Sequence, residues 1–560
     1  MVNIKHKLRR TAALALCCVL LASLLTGCSE KLELLRGQEE KYEIEKSSDV
    51  YLAMGYVRTL NPALSKDEDV YYISKLIYDG LFELDETMAA VPKLVKSYSY
   101  SEDSTELDIT LRDDVYWHDG EKLTADDVKY TVELLQSLGS DTLYSNYVSN
   151  IKSVKVNKSD KQQLTITFKS GADSAEAKLI FPIMPEHQYK SVADMKKHTD
   201  DFTPIGTGPY KVDEYDLLTS LKLSPNESYY DAVSANTLTF EVVPGSKEAL
   251  SLLNVDEISL VFIKDIDRET IINNTDAVTQ NFPSNCVEVI GFNQNKEYLK
   301  NKKLRQAIAY ATDSKKILES AYYSCGILTD SLYYPGYLGV ENEGDSYEYN
   351  LEKAAELLKK AGMKDSDGDG YLEYTEGEAL SIEILIKADD VSQVAAAQLI
   401  KKSLGDIQVA AEIAECSEED YRSRLAAGSY DIFIGEYTFA DYYDLRSVLH
   451  SGYGNVINYS NENVDSKLEL LAKGATKDKA KVYKELKKTL KEDLPYYPIL
   501  CRTYGMVMSN SLVGESTPLF NDFYRDAANW TLEYKRAVTD EKEETTDEST
   551  DETADEKETE

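Results

Sequence analysis

Histidine is scarce in this chain of 560 residues. The five copies, His6, His118, His187, His198 and His450, stand singly, so no zinc-ligand spacing is present. Basic residues are outnumbered: 62 Lys and Arg face 99 Asp and Glu, a formal net charge of -37. A phosphate backbone requires Lys and Arg, so this balance argues against a nucleic-acid partner. There is no G-x-S-x-G, no H-E-x-x-H and no Cys–His pairing of useful spacing, which leaves no recognised hydrolase or transferase set. Isolated acidic pairs are expected by chance at this acid content. No catalytic residue is therefore assigned, and a non-enzymatic protein is expected. Cysteine totals seven. Cys286, Cys325, Cys416 and Cys501 lie far apart without CxxC spacing, so free thiols and a disulfide both remain open.

What is present begins with a targeting segment. Lys5, Lys7, Arg9 and Arg10 precede an apolar run from Thr11 to Leu25, too short for a membrane span and typical of a signal peptide. It ends Leu25-Thr26-Gly27-Cys28, which resembles the lipobox of bacterial lipoproteins. That resemblance implies acylation of the Cys28 thiol, a mature N-terminus at Cys28 and a protein tethered to the outer face of the membrane. Residues 29–48 are charged and read as a tether. At the other end, Thr539 to Glu560 carries twelve acidic residues against two lysines. Such a run cannot bury enough apolar surface to offset its ordering entropy, and a disordered solubilising tail is expected.

Between these ends the length and the 42% hydrophobic content suit two to four domains. Leu107, Ile109 and Leu111 alternate as a half-buried strand, Asp119-Gly120 makes a turn, and Thr124 with Asp127 forms a capping box before a helix faced by Val128, Val132 and Leu135. Further on, helices are expected over 304–311, 351–361, 391–404 and 418–427, with strands over 380–386, 407–413 and 430–435. Alternation of this kind indicates an α/β lobe. Gly206 and Gly208 are read as glycines needed for unusual backbone angles. Tyrosine is abundant, 41 against 12 Phe; either the rings pack with their hydroxyls in water, or they line a cleft.

Four ordered strings resemble one family, the bacterial solute-binding lipoproteins of extracellular family 5, the oligopeptide- and dipeptide-binding group. They are Thr59-Leu60-Asn61-Pro62 with Asp79-Gly80-Leu81 and Pro92-Lys93-Leu94; Leu111-Arg112 with Val115, Trp117, Asp119-Gly120, Leu123-Thr124-Ala125 and Asp127-Val128; Gly206-Thr207-Gly208-Pro209-Tyr210; and Leu304-Arg305-Gln306-Ala307-Ile308 with Ala311 and Asp313. The resemblance implies an α/β, two-lobed periplasmic-binding-protein-like (type II) fold with mixed sheets and an extra inserted domain. It divides the chain into domain I (49–90, 205–285 and 500–537), inserted domain II (91–204), domain III (286–499) and the tail (538–560). It further implies a monomer that captures a solute, a peptide above all, in an interdomain cleft and delivers it to ABC transporter permease subunits. Members of the family also bind nickel complexes, sugars, opines and signalling peptides. A sensing role without transport is the alternative.

Two stretches carry site expectations. Oligopeptide-binding members have W-x-x-D-Y-x-[DE]-P after the strand equivalent to 430–435, and its Asp pairs with the peptide's α-amino group. Matching Tyr442 and Asp444 to that motif places Asp441 at the amine-binding position and Thr438 where the motif has Trp; Leu445 replaces its Pro. Arg305 is read as structural. Separately, Asp365, Asp367, Asp369, Tyr371 and Glu376 fit the twelve-residue calcium-loop template, with Gly370 at its sixth position, although a strand rather than a second helix follows. A plain Asp-Gly turn is the rival reading.

Overall fold

The alternating Val50, Leu52 and Met54 bury one face of the first globular strand completely, while Asp49 and Tyr51 face outward, and a large mixed sheet grows on either side of it. A computed structural model describes residues 42–189, 191–197, 202–216, 218–264, 277–375, 377–474 and 476–537. The targeting segment with Cys28, the acidic tail, His198 and Glu376 lie outside the described residues. In chain order the elements used below are β1 (Tyr42–Ser47), β2 (Asp49–Met54), α1 (Glu68–Ile77), β3 (Val95–Tyr100), β4 (Glu106–Leu111), α2 (Ala125–Leu138), α3 (Ser145–Val148), β5 (Ile151–Val156), β6 (Gln163–Phe168), α4 (Ala175–Lys178), β7 (Tyr210–Asp216), β8 (Ser220–Pro225), β9 (Thr237–Val242), β10 (Leu260–Ile263) and β11 (Ala277–Phe292). They continue with α5 (Lys302–Tyr310), α6 (Ser314–Ser320), β12 (Gly326–Leu328), α7 (Leu351–Lys360), β13 (Ser381–Lys387), α8 (Val391–Asp406), β14 (Ala410–Cys416), α9 (Glu418–Ala427), β15 (Ile432–Thr438), α10 (Glu462–Ala472), α11 (Lys479–Asp493), β16 (Tyr496–Ser509) and β17 (Thr531–Ala537).

Eleven strands form one sheet in the order β14-β13-β15-β11-β16-β10-β2-β9-β8-β7, with β12 also on β16. The first lobe is built on β2 and β7–β10, the second on β13–β15. The two long antiparallel strands β11 and β16 run through both. β3, β4, β6 and β5 make a separate four-stranded antiparallel sheet, inserted between the two halves of the first lobe. No helix among the described residues is long and apolar enough to cross a membrane.

The sequence patterns hold in most elements for the physical reasons that suggested them. Asp127 accepts from the Thr124 backbone N–H at 2.8 Å and from its hydroxyl at 3.1 Å, fixing the start of α2. Asp313 caps α6 by accepting from the Lys316 amide at 3.0 Å. Arg305 is buried and donates to the carbonyls of Leu299, Lys300, Asp493 and Leu494, a structural clamp. Cys286, Cys416 and Cys501 form no disulfide among the described residues.

Three expectations need correction. Residues 42–47, assigned to the tether, form β1, which pairs with β17; Lys46 Nζ lies 2.7 Å from the Glu533 carboxylate. The strand expected over 407–413 starts at Ala410 instead, because Ile407–Val409 wrap the end of α8. There the Gln408 and Val409 amides donate to Gly405 and Leu404, and Gln408 takes φ +61°. Gly206 and Gly208 do not occupy the left-handed region. Their need is space: a Cβ on Gly206 would sit 1.8 Å from the Ile77 carbonyl oxygen, and one on Gly208 2.6 Å from that of Leu76.

Candidate functional site

The loop after β15 brings Asp441 to the junction of both lobes and the inserted layer. Its side chain is 8% exposed. Its Oδ2 accepts from the Tyr71 hydroxyl of α1 at 2.7 Å and from the Tyr147 hydroxyl of α3 at 2.6 Å. Burial and then the Asp441 charge hold both phenols far above their ordinary range, so they act as fixed donors. No cation lies within ion-pair distance of Asp441 among the described residues, and Oδ1 carries no hydrogen bond from any of them. A buried carboxylate in this state has two neutral donors and an unused acceptor, and it is short of a counter-charge.

Tyr442 packs edge-on to Tyr147, ring centroids 5.8 Å apart, and carries the Lys178 ammonium over its face at 4.8 Å. Tyr144 stacks beside Tyr71 at 6.5 Å. Asp444 forms a fork with Arg446, whose Nη1 also reaches Asp173 of the inserted layer at 2.8 Å and Glu469 at 3.4 Å. Thr438 is exposed at the end of β15 and is the register partner of Cys286. It borders a different group of charges, in which Arg502 contacts Glu288, Asp390 and Glu436. Of the three residues expected to meet a ligand, Asp441 and Tyr442 therefore stand together, and Thr438 belongs with the Arg502 cluster. Tyr71 and Tyr147 were not expected. They lie 370 and 294 residues away in sequence from the carboxylate they serve, and no local pattern marks them.

The acidic loop folds as a tight turn. Asp365 Oδ1 and Oδ2 accept from the Gly368 and Gly370 amides at 2.7 and 3.1 Å, and Asp367 and Asp369 accept from Asp369 and Tyr371 at 3.0 and 2.8 Å. Asp365, Asp367 and Glu373 place ligand oxygens within 4.8 Å of one another. Glu373, not among the expected ligands, is buried and engaged by the Ser366 amide at 2.9 Å. Asp369 and Tyr371 are not part of that group. Cys286, Glu288 and Glu436 also converge, but the Arg502 guanidinium already supplies their positive charge.

Two lobes bridged by paired strands, with a buried carboxylate held among tyrosines between them, define a solute-binding protein of the hinged, two-lobed class. Residues 89–460 match the family model described as bacterial extracellular solute-binding proteins, family 5 Middle, and the chain belongs to that family. It is 27% identical over 553 residues to the oligopeptide-binding protein AppA of Bacillus subtilis, an alignment covering 94% of this chain and 99% of that one. The dipeptide-binding protein of Escherichia coli is 25% identical over 57% of this chain and 64% of its own length. Among solved structures, the ABC transporter substrate-binding protein CtaP of Listeria monocytogenes shares the fold at a TM-score of 0.66 and 24% identity, covering 87% of this chain and 100% of that one. AppA of Bacillus subtilis, solved with a nonapeptide, gives 0.54 and 22% over 88% and 100%.

Proposed function

We propose that this protein captures a peptide between its lobes, holds the peptide's α-ammonium on Asp441, and delivers it to an ABC importer in the membrane. The observation that carries the reading is the buried Asp441 carboxylate, positioned by two phenols from other segments and with no cation at ion-pair distance among the described residues. An ammonium at Oδ1 would complete both its charge and its hydrogen bonding. The peptide specificities named for the relatives support the same ligand class. Native mass spectrometry of the purified protein would identify what is carried, and calorimetry would test the contact. Asp441→Asn nearly keeps the shape and removes the charge, and breaking a buried pair costs roughly 3–5 kcal/mol. The affinity for a free peptide should fall by about two to three powers of ten. An N-acetylated peptide should bind the wild type poorly and lose little more in the variant. Unchanged affinity of Asp441→Asn for the free peptide removes Asp441 from the site.

The anchor belongs to the same proposal. Acylation at Cys28 is supported by the Leu25–Cys28 string alone, and the intact mass of the mature protein tests it. Calcium at the Asp365 loop is supported by its oxygen-rich donor set alone. Superimposable melting curves in calcium and in chelator would reject it.

A further inference from the structure

Tyr442 forms part of a second site. Beside Asp441 lies a cavity of about 230 Å³ between the inserted layer and the second lobe. Tyr98, Tyr337, Tyr442 and Tyr443 supply much of its wall, and Glu176 of α4 lines it as well. Glu176 is 8% exposed, yet no described cation forms an ion pair with its carboxylate. The buried Tyr100 phenol is the carboxylate's polar neighbour, raised by burial and next by the Glu176 charge. Lys479 stands on the cavity wall and Lys178 lies over the Tyr442 ring. Neither is within ion-pair distance of Glu176 among the described residues.

A buried carboxylate lining a partly open cavity among aromatic rings has the chemistry of a cation receptor. The carboxylate supplies charge, and the ring faces attract an ammonium or guanidinium. Such a group at the end of an apolar stem also buries its methylenes against tyrosine. We propose that this cavity is a specificity pocket for one basic side chain, lysine or arginine, of the bound peptide. The proposal rests on the peptide reading above, because Tyr442 joins the pocket to the Asp441 site and a single ligand would occupy both. The ligand class is then a peptide bearing a second positive charge close to its N-terminus.

The test uses the full mature protein and six tripeptides. Lysine is placed at the first, second or third position of an alanine tripeptide, and each peptide is matched with its norleucine counterpart. By calorimetry, at least one lysine peptide should bind the wild type about ten- to a hundredfold more tightly than its norleucine partner. Glu176→Gln should erase that difference while keeping the norleucine affinity. Equal affinities for every lysine and norleucine pair in the wild type overturn the pocket without requiring a variant to fold. A lysine preference that persists in Glu176→Gln overturns the role of Glu176. If none of the six binds, the peptide reading fails first and this inference fails with it, an outcome distinct from the other two.

Discussion

His118 shows how one side chain joins two strings of the sequence. Its Nδ1 accepts from the Gly206 amide at 3.2 Å, its Nε2 lies 3.2 Å from the Gly208 carbonyl, and its own amide donates to the Gly206 carbonyl at 2.9 Å. This pattern requires the neutral ring with the proton on Nε2. Burial pushes its pKa down from 6.5 to about 4, against the pull of the Gly208 carbonyl. The unfolded chain therefore binds a proton near pH 6.5, and the folded chain binds one only near pH 4. The stability His118 contributes is complete above pH 6.5 and is lost as pH falls through that window. The loss amounts to roughly 3 kcal/mol at one pKa unit per 1.36 kcal/mol. His118→Gln should flatten the urea-midpoint profile between pH 7 and pH 4 relative to the wild type, while a parallel profile would refute the account. Sequence alone showed His118 only as one of five isolated histidines, because its partners are backbone groups some 90 residues away.

At the scale of elements, the sequence was most legible where structure is local. The Thr124–Asp127 box, the Asp313 cap and the 418–427 helix all follow from residues within one turn of each other. It was least legible where pairing is remote. The Tyr-Glu-Ile-Glu-Lys-Ser of β1 alternates too weakly to be distinguished from a charged tether, and its partner β17 lies at the far end of the chain. The glycines make the same point. Gly120 has φ +90° with open space around it, whereas Gly206 has an ordinary φ and the Ile77 carbonyl where its Cβ would go. Gly120→Ala should therefore cost about 1 kcal/mol of backbone strain. Gly206→Ala forces backbone to move at the contact between α1 and the β7 entry, and should cost about 3 kcal/mol or more. Urea melts of the two variants decide it, and equal midpoints would mean that α1 yields freely.

At the scale of the molecule, the Asp441 cluster exists only because three remote segments are brought together, which is why Tyr71 and Tyr147 could not be found from a motif. The second lobe and the inserted layer are joined on the same side by a short bridge. The Ser174 amide donates to the Ala472 carbonyl at 2.6 Å, the backbones of Asp173 and Lys473 form an isolated antiparallel bridge, and Arg446 reaches the Asp173 carboxylate at 2.8 Å. These contacts cross between the bodies that a hinge motion would separate, so they favour the closed arrangement over the open one. Arg446 keeps Asp444 when Asp173 is removed, so Asp173→Ala should leave the second lobe folded and weaken only the bridge. A partly exposed ion pair contributes about 1 kcal/mol. The closed population without ligand should therefore drop about fivefold, and peptide affinity should fall by a similar factor, since a ligand selecting the closed form must supply the difference. Small-angle scattering should show a larger radius of gyration for ligand-free Asp173→Ala than for the wild type, and the two should converge when peptide is saturating. Identical ligand-free curves would mean that Asp173 does not hold the lobes together.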